Sequence, residues 1–400
     1  MGLRRSAAIV GMAQFKPRKM RDLAGVGTCL EQMATLSLDA LQDAGLALAD
    51  IDGLITGRIA EAEHFVPATV IEYLGLETRF SELMDLGGAS STSGVLRAAM
   101  AIHAGLARAV LVVMPSGIAE PPPVAATADD AHTFGASSAQ FGSPQAEFEI
   151  PYGHLAQNTG YGLIARRYAE VHGYDQRAMA RLVAQQRHNA CANPDAIFYG
   201  QPLTEDDVLA SPMIAPPLHM LEIVMPVWGG AAVVVVAPDM ATRCPQRPVW
   251  LLGAGEYLAH KSAAYAPDIL ETPVYRASQQ AFLMAGMKPG DMDLAQLYDC
   301  YSITVLLNLE DAGFCAKGQG MDFLRERDLT WQGDFPLNTH GGQLSFGQPG
   351  QAGGMTQLCE AVQQIRGTAG ERQLAHCDTV YVSGTGGVMS EQSVLILGGE

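Results

Sequence analysis

The 400-residue sequence has no apolar run long enough to cross a bilayer, and its N-terminal stretch, MGLRRSAAIVGMAQF, holds too short an apolar segment for a secretory signal. Positive charge is also scarce, since 42 acidic residues face 25 basic ones and the formal net charge is −17. Such a charge repels phosphate backbones and anionic lipids, which argues against nucleic acid or a membrane as partner. The sequence therefore predicts an acidic cytoplasmic protein.

Paired cysteines are missing as well. The seven cysteines are widely spaced and form no C-x-x-C motif, which favours reduced thiols over a disulfide framework or a zinc site. The sequence has no P-loop, no dinucleotide fingerprint after a strand, and no His/Asp/Glu cluster with metal-ligand spacing. We therefore expect no bound NAD, ATP or metal.

Short apolar runs bounded by glycine, proline or polar residues alternate with segments of helical periodicity. Runs of this kind are typical of strands buried on both faces of a sheet, so the pattern predicts an α/β protein. The predicted strands are 7–13, 53–56, 109–117, 231–238, 249–255, 294–298 and 379–387. The predicted helices are 29–45, 94–106, 159–173, 176–191, 275–286 and 354–367.

An internal repeat indicates duplication. ALQDAGLALADID (40–52) aligns without a gap to AFLMAGMKPGDMD (281–293), and each copy lies between two predicted strands in the same order. We predict an N-terminal half over 1–245 and a C-terminal half over 246–400. The first half contains an inserted loop region at about 115–215, whose first part, 115–145, is rich in Pro, Ala, Ser and Gly.

Four segments in the same order resemble those of a known family. They are 161–196, 211–238, YDCYSITVLLNLEDAGFCAKGQG (298–320) and PLNTHGGQLSFGQPGQAGGM (336–355). Together they resemble the thiolase superfamily, and more narrowly its lipid-transfer-protein or sterol-carrier-protein branch. The resemblance implies a duplicated, five-layered α/β/α/β/α fold with mixed sheets, a homodimer, and acyl-coenzyme A thioester substrates without a separate bound cofactor.

The three catalytic positions of thiolases have no titratable group here. The nucleophilic cysteine at a helix start matches Ala89 in DLGGASSTSGV (85–95), or Ser90 if the match shifts by one residue. The activating histidine of Gly-His-Pro is replaced by Gln348, and Ser383 to Gly387 stand where thiolases have Cys-x-Gly-Gly. A simpler interpretation of the serines in 90–93 is that they cap the following helix. The resemblance implies that Ser90, Gln348, Ser383 and Gly387 bind substrate and cradle its oxyanion.

Proton transfer then needs other groups. Tyr298, at the end of a predicted strand in YDCY, replaces the polar residue of the family's oxyanion hole, and its phenol can donate or accept a proton. His340 is the histidine of NTHGG and titrates near neutrality when unperturbed. Tyr298, His340 and Tyr301 are the predicted catalytic residues. His154 and Phe346 are predicted to line the substrate pocket.

An oxyanion cradle without a nucleophile suits carbon–carbon cleavage through an enolate. The sequence resembles the side-chain-cleaving aldolases of the lipid-transfer-protein branch, which implies retro-aldol cleavage of a β-hydroxyacyl-CoA. The resemblance also implies a steroid side chain as substrate and a small OB-fold, zinc-ribbon protein as partner in a heterotetramer. Two alternatives stay open: an acyltransferase with Ser90 as nucleophile and His340 as base, or an inactive scaffold subunit.

Overall fold

The computed structural model describes residues 2–119, 142–154, 156–261 and 263–399. Most of the Pro/Ala/Ser/Gly-rich part of the predicted insertion, residues 120–141, therefore lies outside the described residues. The strands are β1 Ala8–Gln14, β2 Arg18–Lys19, β3 Gly53–Thr56, β4 Phe80–Leu83, β5 Ala109–Pro115, β6 Met213–Ala215, β7 Leu218–His219, β8 Val227–Trp228, β9 Gly230–Val236, β10 Val249–Leu258, β11 Leu294–Gln296, β12 Thr379–Gly386 and β13 Glu391–Gly398.

The helices include three short ones between residues 142 and 241. They are α1 Cys29–Ala44, α2 Val66–Leu74, α3 Ser90–His103, α4 Pro144–Phe148, α5 Gln157–His172, α6 Gln176–Cys191, α7 Glu205–Ala210, α8 Pro238–Ala241, α9 Val274–Ala285, α10 Ser302–Asp311, α11 Gly320–Glu326, α12 Gly342–Phe346 and α13 Gly353–Arg366. None of the helices in the described residues is both long and apolar enough to span a membrane.

Nine strands form one mixed sheet in the order β11-β12-β13-β10-β1-β9-β5-β3-β4. The two halves join where β1 pairs antiparallel with β10, Ala8 opposite Trp250. Helices α3 and α13 contact strands of both halves and form the central layer. Helix α1 covers the outer face of the N-terminal strands, and α9 covers that of the C-terminal strands. The predicted α/β/α/β/α layering is therefore confirmed.

The predicted strands are buried as their composition suggests. Every residue of β5 and β9 is buried, because helices cover both faces of the sheet at these strands. The core between the sheet halves and the central helices includes Val112, Met355 and Val382, all fully buried. This arrangement places the N-termini of α3 and α13 side by side, next to the ends of β11 and β12.

The internal repeat is visible in the packing. In the first copy a Cβ on Gly11 of β1 would overlap the carbonyl oxygen of Ala40 in α1; in the second, a Cβ on Gly253 of β10 would overlap that of Ala281 in α9. The pairing of β1 with β9 and that of β10 with β13 shift register at these same two glycines. Strand and helix therefore approach closely in both halves because a glycine leaves the space.

One expectation needs correction. Helix α3 begins at Ser90, four residues earlier than predicted, and its N-cap Ala89 provides no side-chain hydrogen bond, so the serines lie inside the helix and do not cap it. The predicted loop region at about 115–215 contains α5 and α6, each of 16 residues, as the helical periodicity indicated.

Candidate active site

A cavity of about 250 Å³ opens where five loops meet at the N-termini of α3 and α13. One loop precedes α3, one follows β5, one follows β11, one precedes α13 and one ends β12, and α5 closes the remaining side. The lining residues are Gly87, Gly88, Ser116, Gln157, Tyr161, Tyr298, Cys300, Gln348, Gly350, Gln351, Thr385, Gly386 and Gly387. Three predicted site residues, Tyr298, Gln348 and Gly387, are thus brought together.

Tyr298 lies at the bottom of this cavity with only 3% of its surface exposed. Its ring packs directly on Gly88, since a Cβ there would overlap the ring and the hydroxyl. Its backbone N–H donates to the Ser383 hydroxyl over 3.1 Å, which fixes the strand end against β12. Burial raises the pKa of the Tyr298 phenol well above its usual value, so the hydroxyl keeps its proton at neutral pH.

Two glutamine amides flank the Tyr298 hydroxyl. The Nε2 of Gln348 lies 3.4 Å from that hydroxyl and also donates to the Gly350 carbonyl over 3.0 Å. Gln343 of α12 reaches the same point, because a Cβ on Gly353 would lie within 3.0 Å of Gln343 Oε1, Gln348 Nε2 and the Tyr298 hydroxyl. Both amide atoms of Gln343 are buried without a hydrogen-bond partner among the described residues. Sequence reasoning missed Gln343, although it stands in the quoted glycine-rich segment.

The position of the thiolase cysteine carries no nucleophile in this fold. Ala89 is buried against β12, with its Cα 2.9 Å from where a Cβ on Gly384 would lie. The Ser90 hydroxyl accepts the backbone N–H of Leu86 over 2.9 Å and does not line the cavity. The segment before α3 therefore contributes Gly87 and Gly88, without a nucleophilic side chain, to the cavity lining.

Cys300 is a cavity-lining thiol that the sequence argument did not single out. It donates to the Tyr161 hydroxyl over 3.4 Å, and Tyr161 in turn donates to the Gly387 carbonyl over 3.0 Å. Burial raises the pKa of Cys300 to about 12, so the sulfur is a neutral thiol at physiological pH. A neutral thiol is a poor nucleophile, which separates this cysteine from the thiolate of a thiolase.

Asp299 fastens three elements of the site together. Its carboxylate accepts the backbone N–H of Gln343 over 2.8 Å and of Leu344 over 3.1 Å, and the side chain of Gln357 over 2.9 Å. The end of β11 is thereby tied to α12 and α13. Burial raises the pKa of Asp299 to about 7, and these hydrogen bonds partly oppose that rise.

Five other predicted site residues do not line the cavity: His340, Phe346, Tyr301, His154 and Ser383. His340 is buried beside Phe346, with ring centroids 5.4 Å apart and no partner for either ring nitrogen among the described residues. Burial lowers the pKa of His340 to about 4. Tyr301 stacks on Tyr161 and donates to Asn158 over 2.6 Å. His154 lies beside Glu149, on a separate groove.

The cavity holds no carboxylate, ammonium, guanidinium or imidazole among its described lining residues. Negative charge that develops inside it meets neutral dipoles instead: the Gln348 amide, the phenol of Tyr298 and the backbone at the start of α13. The described residues contain no group of three or more His, Cys, Asp or Glu side chains placed to hold a metal ion. The arrangement can steady an oxyanion and exchange a proton through a phenol.

Comparison with known proteins agrees with this geometry. Residues 255–399 match the family model described as thiolase C-terminal domain-like. The chain is 32% identical to a "Steroid side-chain-cleaving aldolase" of Thermomonospora curvata, over 91% of each chain. It is also 32% identical to the "17-hydroxy-3-oxo-4-pregnene-20-carboxyl-CoA lyase" of Mycobacterium tuberculosis, over 92% of this chain and 94% of that protein.

Similarity extends to an enzyme named for another reaction and to a solved structure. An "Acetyl-CoA acetyltransferase" of Methanothermobacter thermautotrophicus is 30% identical over 96% of this chain and 97% of that protein. The solved structure named "Ltp2-ChsH2(DUF35) aldolase" superposes with a TM-score of 0.86 at 30% identity, over 99% of this chain and 98% of that one.

Proposed function

This chain belongs to the sterol-carrier-protein branch of the thiolase superfamily, and we propose that it is a carbon–carbon lyase that cleaves a β-hydroxyacyl-CoA by a retro-aldol reaction. The products are a shortened acyl-CoA and a ketone or aldehyde. Two relatives at 32% identity are named as an aldolase and a lyase, and both names point to a steroid substrate. We extend that substrate class, a hydroxylated steroid side chain, to this enzyme.

The observation that carries the proposal is the pairing of a thioester-oxygen cradle with the absence of a thiolate. Gln348 and the backbone that begins α13 offer donors, whereas neither Ala89 nor Ser90, the two residues that match the thiolase cysteine, carries the sulfur that acyl transfer needs. A retro-aldol cleavage needs only stabilisation of the enolate oxygen and movement of one proton. The cavity supplies both.

We assign the proton transfer to Tyr298. As the bond between Cα and Cβ breaks, the proton of the substrate's β-hydroxyl passes to the Tyr298 oxygen and the phenol's own proton moves in the same step to Cα. The O–H electron pair forms the new carbonyl at the β-carbon, and the electron pair of the broken carbon–carbon bond takes up the phenol's proton at Cα. The negative charge that develops on the thioester oxygen during this step accepts a hydrogen bond from Gln348, and the phenol is neutral before and after the reaction. The raised pKa of Tyr298 suits this exchange, since a phenolate is never required at rest.

Tyr298→Phe tests this assignment. We expect kcat for release of propionyl- or acetyl-CoA from a hydroxylated steroid side-chain CoA thioester to fall by about 10²- to 10⁴-fold, the usual contribution of a positioned acid–base group. Tyr381→Phe is the matched control, because Tyr381 is equally buried but bonds Ser278 at 2.8 Å, outside the cavity. If Tyr298→Phe cleaves at the wild-type rate, another group moves the proton.

The acetyltransferase relative makes acyl transfer the competing candidate. That reaction requires a covalent acyl-enzyme, for which the candidates are Ser90, which the sequence resemblance places at or beside the position of the thiolase cysteine, and Cys300, a thiol that lines the cavity. We expect intact-protein mass spectrometry after incubation with acetyl-CoA to show no acyl adduct, and Ser90→Ala to retain cleavage activity. A stable acetyl mass on either residue would favour the transferase.

We further propose that the enzyme is a homodimer that binds a small OB-fold, zinc-ribbon protein to form a heterotetramer. The solved structure that matches over nearly the whole chain is named for two components, one of them marked DUF35. Purifying the chain alone and with a co-expressed DUF35 protein, then measuring cleavage, tests the partner. Full activity of the chain alone, together with separate elution of the two proteins, would contradict it.

A further inference from the structure

The side chain of Gln343 in α12 is buried but not hydrogen-bonded. It is fully buried, and neither its Oε1 nor its Nε2 has a hydrogen-bond partner among the described residues. Buried polar atoms are nearly always paired, so an amide with two unpaired ends calls for an explanation. Its backbone is held at both ends, because the N–H donates to Asp299 over 2.8 Å and the carbonyl accepts the Gly347 N–H over 3.2 Å. The residue is therefore fixed in place while its amide stays uncommitted.

The amide of Gln343 lies beside the phenol of Tyr298. Its Oε1 and the Tyr298 hydroxyl lie 2.9 and 3.0 Å from the point that a Cβ on Gly353, the first residue of α13, would occupy. Among the described residues that line the cavity, Tyr298 is present and Gln343 is not. Gln343 is therefore placed to act on the phenol and not on the substrate.

The other amide beside the phenol, that of Gln348, can only donate to it. Its Nε2 donates to the Gly350 carbonyl over 3.0 Å and its Oε1 accepts the Gly350 N–H over 3.2 Å, which fixes the orientation of the amide. Its remaining N–H is the one that faces the phenol oxygen, 3.4 Å away. The Gln343 amide makes no such bonds within the part of the chain that the structure describes. Either end of it can face the phenol, because a half-turn exchanges the carbonyl oxygen and the NH₂ group.

The proton exchange assigned to Tyr298 needs a partner that can both accept and donate. Without substrate the phenol carries a proton that needs an acceptor, whereas during cleavage its oxygen receives one proton as it gives up another. A phenol oxygen has one O–H to donate and lone pairs that accept two hydrogen bonds. Once Gln348 donates to the thioester oxygen, those lone pairs face the substrate's β-hydroxyl and one further donor. Gln343 can be the acceptor before substrate binds and that donor afterwards.

We propose that Gln343 is a positioning residue for Tyr298: its Oε1 accepts the phenol O–H in the empty enzyme, and its Nε2 donates to the phenol oxygen when the O–H points at the substrate's Cα. The assignment rests on the proposed retro-aldol function. No bond of Gln343 is made or broken, and its amide keeps its protons throughout. Burial raises the pKa of Tyr298, and the nearby side chains of Gln348 and Gln343 partly oppose that rise, which agrees with this placement.

A double-mutant cycle separates positioning of the phenol from general support of the fold. Gln343→Met keeps the side-chain length without its hydrogen-bonding atoms. We expect kcat for β-hydroxyacyl-CoA cleavage to fall about tenfold or more at unchanged KM, because the phenol loses its orientation while the substrate contacts remain. In the Tyr298→Phe background the same substitution is expected to change kcat by less than about twofold. Gln186→Met is the matched control, since Gln186 is also buried with both amide atoms unpaired among the described residues, but lies next to Gly342.

Nuclear magnetic resonance of protein labelled with [ζ-¹³C]tyrosine reads the contact without turnover, because the shift of this carbon responds to hydrogen bonds at the hydroxyl. The Tyr298 signal is the one missing from Tyr298→Phe. We expect Gln343→Met to move it and Gln186→Met to leave it in place, and Gln343→Leu repeats the measurement if the methionine variant does not fold. An unmoved signal, or an equal fall in kcat with and without the phenol, overturns the proposal. A moved signal in an enzyme that cleaves no β-hydroxyacyl-CoA would instead overturn the proposed function and leave Gln343 assigned as the partner of the phenol.

Discussion

A single missing Cβ, at Gly88, decides how closely the Tyr298 ring approaches the start of α3. Any side chain at this position would occupy the space of the ring and hydroxyl. The phenol of Tyr298 can contact the Gln348 amide because Gly88, in the loop before α3, has no side chain in that space. Gly88 is therefore needed to position Tyr298, the proposed proton-transfer group.

Gly88→Ala is expected to lower kcat by at least about tenfold, because the ring must move and a misplacement of about 1 Å in a catalytic group costs up to 10²-fold. Steady-state kinetics on the proposed thioester substrate measures the loss. Gly105→Ala serves as a comparison for folding, since Gly105 follows the other end of α3 and a Cβ there meets nothing within 4 Å, although its positive φ of 74° carries a strain cost. Wild-type kcat in Gly88→Ala would contradict this placement of Tyr298.

Asp299 gives the protein a pH-dependent stability with a definite sign. Its pKa is about 7 in the folded protein against 3.8 for the unperturbed carboxyl, so between these values the folded state holds a proton that the unfolded state has released. The free energy of unfolding therefore falls as pH rises from about 4 to about 7, with a slope of about 1.4 kcal/mol per pH unit from this group. Above pH 7 the group adds no further slope.

Urea unfolding at several pH values compares this slope in wild type and Asp299→Asn. We expect the substitution to remove the contribution of this one group between pH 4 and 7. Asp207→Asn is the control, because the Thr204 hydroxyl and N–H hold the pKa of Asp207 below its usual value, so that above about pH 5 it is ionised in both states and adds no slope. Identical slopes in wild type and Asp299→Asn would show that Asp299 ionises normally.

At the scale of elements, the two glycine contacts of the repeat hold each outer helix against its strand. Gly253→Ala would drive a methyl into the Ala281 carbonyl, with the Ala285 Cβ only 3.0 Å away. We expect a loss of about 1–3 kcal/mol in the free energy of unfolding, the usual cost of overpacking. Gly290→Ala meets nothing within 4 Å and is expected to leave stability nearly unchanged. Denaturant unfolding of both variants tests the contrast.

Local patterns predicted the elements that carry their own signal. The sequence placed α1 and α6 to within one residue, because apolar spacing and end signals such as the glycine after α1 are local. Strand β4, FSEL, escaped prediction since it is short and half exposed. Strand β13 also escaped, although its run SVLILG (393–398) was a visible signal.

The site was predictable only where its residues stand inside a recognisable motif. Tyr298 and Gln348 were found this way, and the structure brings them together. Gln343 reaches the phenol because its backbone bonds Asp299, 44 positions earlier, which no local pattern reveals. In the sequence His340 looked suitable for acid–base catalysis. In the structure it does not line the cavity, and burial lowers its pKa to about 4.

At the scale of the whole molecule, the two edges of the nine-stranded sheet differ. At one edge, β11 is covered by the segment at 336–338, since Ala295 pairs with Leu337. At the other edge, β4 has β3 on one side and no strand on the other among the described residues. An uncovered edge is a template for pairing with another chain. The proposed homodimer fits here, with β4 of two copies side by side.

Leu83→Lys tests this arrangement, because Leu83 is 37% exposed on the uncovered strand and a charge there opposes edge-to-edge pairing. We expect size-exclusion chromatography with light scattering to give one chain mass, 42.4 kDa, for the variant and twice that mass for the wild type. Leu283→Lys places the same charge on a leucine that is 84% exposed on α9, in the other half, and is expected to stay dimeric. A dimeric Leu83→Lys protein would move the interface away from β4.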